Sequence, residues 1–291
     1  LNDDFTIDSK FSSDFYIGEN YISKSSMSDL SQKIISINNL RNQIDFYFEN
    51  LIFDLDFEQN IWHLNSKSGV KFKSKFLVCS SNLLLHKRSK EFFNTNQIPL
   101  RKAIPKNKDQ IIDSLLKFLE KQSYIQRLTF LIYTNPNYRY KDSYNMRNRY
   151  FLLKKDLENK YKFERVVFQL QKNNQLGIVI HTKSIDFIKK YIIEKKEDKF
   201  KQNIIKQFNN LFEFSSVINQ LSGEEAVSIM RWRASQPLGT GIPLSLQISK
   251  KHKIGFCGDW FENDGFGRIE GSIFSALKLA NKFNSLNLIS D

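Results

Sequence analysis

The stretch CGDWFENDGFGRIEGSIFSALKLA, residues 257–280, decides the fold and lies near the end of the chain. It follows the apolar run HKIGFC, which predicts a buried strand. Gly258 and Asp259 come directly after that strand, and Gly265 and Gly267 precede an apolar-periodic helix with Gly271 in its first turn. The stretch therefore predicts a strand, a tight glycine-rich loop and a helix in immediate succession.

This loop has the features of a ligand site. In open α/β sheets, ligands lie outside the carboxyl ends of the strands, where Asp259 would place a carboxylate that accepts hydrogen bonds from sugar or ribityl hydroxyls. The helix start at residues 268–271 offers free N–H groups to a carbonyl oxygen or a delocalised negative charge. A plain tight turn with a carboxylate at the helix start has the same spacing, and the spacing alone leaves both interpretations open.

Periodicity predicts the other elements of the chain. Helical spacing indicates a helix that starts at Ser28 and an amphipathic helix after Pro105. Residues 44–79 read as a meander of short strands that closes with an apolar strand, and the polar, tyrosine-rich residues 135–162 as a region with a long loop. The remaining predictions are a strand at 128–134, a hairpin at 165–181, helices at 184–194 and 198–212, and a strand at 225–235.

Composition limits the classes of protein. With 291 residues, 41% of them apolar, the chain can form one large domain or two ordinary ones. It has no apolar run of about 18 residues, so no membrane helix is expected, and no leader is visible. The first residue is Leu1 and not Met, which suggests that the sequence begins partway into a longer product.

Charge, cysteines and histidines add three expectations. The net charge of +13 is compatible with nucleic-acid binding, but the lysines are spread along the chain, which favours a solvated surface. Cys79 and Cys257 each follow an apolar run and are expected in buried strands of a cytoplasmic protein without disulfides. The four histidines lack metal-ligand spacing, so no metal site is predicted.

The loop also resembles a known motif. Residues 257–280 are similar to the C-terminal flavin-binding motif of the renalase-like, amine-oxidase-type FAD-dependent oxidoreductases. The matching residues are Gly258, Asp259, Gly267, Arg268, Ile269, Glu270 and Gly271. The resemblance implies non-covalent FAD, with Asp259 on the ribityl chain and the helix start, Ile269 to Gly271, against the pyrimidine end.

Other segments agree with this resemblance. SIMRWRASQP, with Arg231, Trp232 and Arg233, is similar to the family's W-R-Y-A-x-P strand, although Ala234 directly follows Arg233, without the aromatic residue. In the meander, Ile52 occupies the small aliphatic position whose backbone commonly meets the adenine. The segments FLVCSSNLLLHKRS and RKAIPK also resemble parts of the pattern.

One departure concerns the G-x-G-x-x-G turn of the family's first βαβ unit, which holds the FAD pyrophosphate. This sequence has no such motif, and its N-terminus aligns well inside the family pattern. We therefore predict an α/β, FAD/NAD(P)-binding, amine-oxidase-like two-domain fold with an incomplete dinucleotide-binding domain. Residues 21–80 and 238–291 would belong to the FAD-binding domain, and residues 81–237, with 1–20, to an antiparallel-sheet substrate domain.

Two functions remain open. The first is an FAD-dependent oxidoreductase that takes a hydride from a small amine or dihydronicotinamide-type donor, provided that the missing N-terminal part is present. The second is a non-catalytic basic binding protein on a degenerated flavoprotein scaffold, motivated by the missing glycine motif and by the segment NPNYRYKDSYNMRNRYF. For that segment we favour a surface loop, so nucleic acid is not the expected partner.

Four residues are candidates for the substrate pocket. Trp232 and Trp260 would line it, although buried tryptophans are more often part of the core. Arg231 and Arg233 would recognise an anionic substrate, although paired arginines on a strand are more often solvated or salt-bridged. No residue stands out as a general base, and the sequence does not indicate the oligomeric state.

Overall fold

The structure is a computed structural model that describes residues 11–12, 28–37, 39–134, 149–170, 176–182, 185–194, 197–212, 221 and 226–285. The chain folds into two compact units. The first unit comprises Leu1–Gln43 and Ile125–Ser235, and the second comprises Ile44–Tyr124 and Gln236–Asp291.

Strands and α-helices are numbered in chain order over the described residues. The strands are β1 (Phe11–Ser12), β2 (Ile52–Glu58), β3 (Ile61–Ser66), β4 (Lys71–Ser74), β5 (Leu77–Cys79), β6 (Ser123–Tyr133), β7 (Arg149–Leu153), β8 (Arg165–Leu170), β9 (Leu176–Thr182), β10 (Ala226–Leu238), β11 (Ile248–Ser249) and β12 (Ile254–Phe256). The α-helices are α1 (Ser28–Ile37), α2 (Arg88–Phe93), α3 (Pro99–Ala103), α4 (Gln110–Lys121), α5 (Lys155–Tyr161), α6 (Ile185–Glu194), α7 (Glu197–Leu211) and α8 (Ile269–Ser285).

The first unit contains a six-stranded sheet in the order β1-β7-β8-β9-β6-β10. The pairs β1–β7, β7–β8, β8–β9 and β6–β9 are antiparallel. Strands β8 and β9 confirm the predicted hairpin, whose connection at 171–175 lies outside the described residues. The predicted strand at 225–235 is also confirmed, by β10.

The core of the first unit lies between this sheet and helices α6 and α7. Leu128, Phe130 and Ile132 alternate along β6 and are fully buried, as expected for one face of a strand. Phe200 and Phe208 of α7 belong to the same apolar cluster. The helices predicted at 184–194 and 198–212 are confirmed, because their apolar spacing matches the face that they bury.

The predicted loop region at 135–162 is only partly described. Residues 135–148, which hold most of the basic, tyrosine-rich segment, lie outside the described residues. The remainder contains β7 and helix α5. In that part Phe151 and Leu153 bury apolar side chains in the sheet. The long loop predicted within 135–162 stays a prediction.

The second unit contains two three-stranded sheets. The meander β2-β3-β4 is antiparallel and confirms the prediction for residues 52–74. Strand β5 does not close that meander, which corrects the prediction for its last strand. Instead it pairs parallel with β12 in the sheet β11-β12-β5, and its first N–H, that of Leu77, donates to the carbonyl oxygen of Lys253 at 3.0 Å.

Helix α4 joins the meander to the core of the second unit. Its N-cap is Asp109, whose carboxylate accepts the N–H groups of Ile111 and Ile112. Leu115 and Leu119 lie in the same apolar cluster as the meander's leucines and Trp62. Residues 81–124 therefore belong to the same compact unit as the meander, whereas the predicted domain boundary falls at residue 80.

Helix α8 confirms the predicted helix, but part of its apolar periodicity lies on an exposed side. Apolar faces ordinarily turn toward a core. Here Ile269, Ile273 and Leu277 are exposed, and the residues that α8 buries are Gly271, Ser275, Leu279 and Phe283. The cause is close packing against β12, because a Cβ on Gly255 would meet the side chains of Leu279 and Phe283 within 3.2 Å. Among the described helices, none is both long and apolar enough to cross a membrane.

Candidate functional site

Two parallel strands place the candidate site at one edge of a sheet. In the pairing of β5 with β12, Cys79 lies opposite Phe256, and the N–H of Cys257 donates to the carbonyl oxygen of Cys79 at 3.1 Å. Because the strands are parallel, the segments that follow them leave the sheet at the same edge. Ser80 after one strand and Gly258 after the other therefore become neighbours.

At Gly258 the segment that follows β12 contacts the segment that follows β5. Its φ of 145° is rarely adopted by other residues, and a Cβ there would lie 2.2 Å from Nε1 of Trp260 and 2.9 Å from the carbonyl oxygen of Ser80. The hydroxyl of Ser275 accepts the N–H of Gly258 at 2.8 Å. Helix α8 is thus fastened to the end of strand β12 by a buried hydrogen bond.

The loop then packs directly on the first turn of α8. A Cβ on Gly265 would lie 2.4 Å from the nitrogen of Gly271, and a Cβ on Gly271 would lie 2.2 Å from the oxygen of Gly265. The side chain of Asn263 accepts the N–H of Gly265 at 2.8 Å, and the N–H of Gly267 donates to the carbonyl oxygen of Asp259 at 2.8 Å. These contacts fix the loop against the helix start.

The start of α8 leaves backbone donors free. No hydrogen bond within the described residues uses the N–H groups of Ile269, Glu270 or Gly271. Ile269 and Glu270 are exposed, as is Arg268 before them, while Gly271 is buried. A helix of 17 residues carries partial positive charge at this end, so the free N–H groups favour an acceptor with negative charge.

Asp259 is half-buried beside this helix start. Burial raises the pKa of its carboxyl group, and the nearby guanidinium of Arg88 opposes that shift. The carboxylate is within electrostatic range of Arg88 but forms no ion pair with it within 4.0 Å. Its oxygens therefore keep acceptor capacity for a ligand.

A polar network lies beside Asp259 and follows the end of β5. Nη2 of Arg88 donates to Oδ1 of Asn82 at 2.6 Å, and the guanidinium lies 4.5 Å from the centre of the Tyr124 ring. The amide of Asn82 donates to the hydroxyl of Tyr124, which donates to Oε1 of Gln122 at 2.8 Å. Burial raises the pKa of Tyr124 to about 12, so this phenol remains a hydrogen-bond donor at neutral pH.

Three buried donors in and next to this network have no partner among the described residues: Nη1 of Arg88, Nε2 of Gln122 and Nε1 of Trp260. An unsatisfied buried N–H costs about 1–3 kcal/mol. A group rich in acceptor oxygens would satisfy such donors. The cluster therefore fits an oxygen-bearing, negatively polarised ligand.

The remaining predicted cofactor residue, Ile52, is the first residue of β2. It is half-buried and packs against the apolar cluster that contains Trp260 and Phe261. Trp260, predicted to line the substrate pocket, is 1% exposed and packs on Phe261 with ring centres 4.4 Å apart. In the second unit the structure thus brings Gly258, Asp259 and the helix start together.

The other predicted substrate residues belong to the first unit. Arg231, Trp232 and Arg233 are all exposed on β10, and because side chains alternate along a strand, Trp232 points away from the two arginines. Nε1 of Trp232 donates to Oγ1 of Thr129 at 3.0 Å, and Thr129 lies 2.9 Å from Nδ1 of His181. Burial and two nearby arginines lower the pKa of His181 to about 3, so its ring stays neutral.

The members of the polar network are not predicted from the sequence. Gln122 and Tyr124 carry no motif. Asn82 and Arg88 lie in FLVCSSNLLLHKRS, whose resemblance to the family pattern assigns them no role. The signal that would have found Asn82 and Arg88 is the parallel pairing of β5 with β12, which carries the residues after β5 to the edge where Asp259 lies.

The known proteins that this chain resembles are found by comparison of structures and not of sequences. No protein-family model matches the sequence, and no curated protein matches it. A solved structure of cyclohexylamine oxidase from Brevibacterium oxydans IH-35A is similar with a TM-score of 0.58 and 11% identity, over 90% of this chain and 53% of that one. A triple mutant of putrescine oxidase, from a redesign of cofactor binding, gives a TM-score of 0.51 and 10% identity, over 87% and 52%.

The fold is of the amine-oxidase type. The predicted fold class is therefore confirmed, with an antiparallel sheet in the first unit and the strand–loop–helix in the second. The chain spans about half the length of the solved structures that it matches. At this level of identity the likeness concerns the fold, and the activity must be argued from the site.

Proposed function

We propose that the chain forms the flavin-holding part of an FAD-dependent oxidoreductase of the renalase-like, amine-oxidase type. Its substrate would be a small amine or a dihydronicotinamide-type donor. One observation carries the proposal: the carboxylate of Asp259, the free N–H groups at the start of α8 and the unpartnered donors beside Arg88 all lie at the edge where β5 and β12 end. This combination suits a ligand with both hydroxyl groups and acceptor oxygens.

The residues have distinct roles in this proposal. Asp259 accepts hydrogen bonds from the hydroxyls of the ribityl chain, and Gly258 lets the backbone come close. The helix start, Ile269 to Gly271, presents its N–H groups to the pyrimidine oxygens, and Arg268 precedes it with its own N–H donated to the carbonyl oxygen of Gly265. The peptide of Ile52 meets the adenine. When bound, the flavin supplies a two-electron acceptor for the hydride of the donor.

The charges on this chain favour the reduced form of the cofactor. Reduction adds negative charge to the N1–C2=O region of a flavin, and the positive end of helix α8 stabilises charge of that sign. The guanidinium of Arg88 adds a second positive group at the same edge. Arg231, Trp232 and Arg233 remain our candidates for substrate recognition.

Flavin binding tests the proposal directly. The purified chain is incubated with FAD, desalted and examined by visible absorption and by quenching of flavin fluorescence. The same experiment is done on the protein expressed with any coding sequence that precedes Leu1. We expect a retained flavin band in at least one form, and loss of both signals in both forms would refute the proposal.

A matched pair of variants locates the site. In the form that retains FAD, Asp259→Ala removes a charged acceptor and is expected to weaken FAD binding by about tenfold to a hundredfold. Asp264→Ala removes an exposed carboxylate from the same loop and should leave binding unchanged. Equal losses in the two variants would mean that FAD responds only to the overall charge.

A further inference from the structure

A cleft in the second unit collects lysines that are far apart in the sequence. It lies between α2, α3 and α4 and has a volume of about 650 Å³. Four lysines line it: Lys87 just before α2, Lys90 on α2, Lys106 between α3 and α4, and Lys117 on α4. The folded chain therefore concentrates positive charge that the sequence distributes.

The other charged groups of the cleft do not neutralise these lysines. Arg101 and Asp113 form an ion pair with Nη1 and Oδ1 2.5 Å apart, and Oδ2 of Asp113 accepts the N–H of Asn107 at 2.9 Å. This pair cancels its own charge and ties α3 to α4. Glu120 is the one further carboxylate of the lining. The four lysines and Glu120 together give the cleft a net charge of +3.

The four ammonium groups are free to bind a ligand. Lys87, Lys90, Lys106 and Lys117 are exposed, and none forms an ion pair within the described residues. Four cations that face one concave space repel each other, and that repulsion is relieved when a multiply charged anion enters. A single carboxylate would neutralise only a fraction of this charge, whereas a chain of phosphates matches it.

The cleft offers little apolar surface. Two of its apolar lining residues are nearly inaccessible, with Leu85 1% and Leu116 7% exposed, and Ile98 is half-buried. The volume of the cleft lies within the range of about 300–1,000 Å³ that is usual for small-molecule sites. The exposed lysines therefore define the ligand, and a polyphosphate matches their charge.

We propose that this cleft binds a polyphosphate, with its phosphates among the four lysines. The site is distinct from the proposed flavin site. Lys87 and Lys90 line the cleft, whereas Arg88 between them belongs to the polar network beside Asp259. Helix α2 thus contributes to two sites with two different side chains.

Calorimetric titration of the full chain tests this site with adenosine triphosphate, inorganic triphosphate and adenosine. Because the phosphates carry the binding, inorganic triphosphate and adenosine triphosphate should bind with affinities within about threefold of each other, and adenosine should bind at least about tenfold more weakly than either. The affinity should fall as salt is raised, since the phosphate contacts are electrostatic. An absence of binding by inorganic triphosphate, or binding of adenosine as tight as that of adenosine triphosphate, overturns the proposal.

Variants locate the binding. The double variant Lys87→Ala, Lys117→Ala should lose at least about tenfold in affinity for adenosine triphosphate. The matched double variant Lys121→Ala, Lys250→Ala removes the same charge from exposed positions outside the cleft and should bind within about twofold of the parent. Equal loss in the control, or tighter binding of a single-stranded oligonucleotide, contradicts the assignment.

Discussion

At the residue scale, Asp259 combines a proposed binding role with a cost in stability. Burial raises its pKa, so the folded protein disfavours the ionised form. Stability linked to this group is full below its ordinary pKa of 3.8 and is lost as the pH rises through the folded value. We therefore expect Asp259→Asn to raise the thermal midpoint of the flavin-free protein at pH 7.

The direction of this change in thermal midpoint can be tested at two pH values. Thermal unfolding followed by circular dichroism should show the stabilising effect of Asp259→Asn at pH 7, and the effect should vanish below pH 3.8, where both side chains are neutral. A variant that is less stable at pH 7 would mean that the ionised carboxylate is stabilised by the fold.

Asp109 is predicted to behave in the opposite way. Burial alone would raise its pKa, but hydrogen bonds from Ser249, His252 and the N–H of Ile112 lower it overall. Its oxygen Oδ2 lies 2.6 Å from Nδ1 of His252. The stability that it contributes is present above its ordinary pKa of 3.8 and is lost as the pH falls through the depressed value.

Asp109→Asn should therefore destabilise the protein at pH 7, by about 1–3 kcal/mol, because a charged acceptor of several hydrogen bonds is lost. Urea unfolding at a series of pH values measures the effect. The difference from the parent should shrink as the pH falls below 3.8. A constant difference across this range would show that the cap, and not the charge, is responsible.

At the element scale, helix α8 uses glycine and serine for packing and leaves apolar residues outside. Leu279 is 2% exposed and Leu277 is 60% exposed, because residues two positions apart lie on different sides of an α-helix. Leu279→Ala should cost about 2–5 kcal/mol of unfolding free energy because it opens a cavity. Leu277→Ala should stay within about 0.5 kcal/mol of the parent. Denaturant unfolding of the two variants measures both changes in the free energy of unfolding. Similar losses would mean that Leu277 also packs in the core.

Elements with local signals could be predicted from the sequence. The helical spacing after Pro105 predicts α4, and the run around residues 165–181 predicts the β8–β9 hairpin. The glycines and Asp259 locate the candidate loop for the same reason, since a tight turn requires particular residues at particular positions.

Features that depend on distant contacts could not be predicted. Strand β5 reads as the end of a meander, and its pairing with β12 joins segments more than 170 residues apart. The network of Asn82, Arg88 and Tyr124 depends on that pairing. Likewise, the buried face of α8 depends on how closely Gly255 lets the helix approach, and no periodicity records this distance.

At the scale of the whole molecule, each compact unit has its own apolar core. Phe208 is fully buried in the first unit and Leu115 in the second. Differential scanning calorimetry should therefore show more than one transition. Phe208→Ala should shift one of them and Leu115→Ala another, each by an amount equivalent to about 2–5 kcal/mol. A single transition that both variants shift equally would mean that the units unfold together.

The reactivity of the two cysteines can report whether β5 and β12 are paired. Cys79 and Cys257 are buried where the two strands end, and burial together with the nearby Cys257 raises the pKa of Cys79 to about 12. Neither thiol should react with an alkylating reagent while the strands are paired, because the reagent needs an accessible thiolate. Mass spectrometry during labelling should thus find chains with no label or with two, and few with one. The rate at which doubly labelled chains accumulate would time the opening of the edge that holds Asp259.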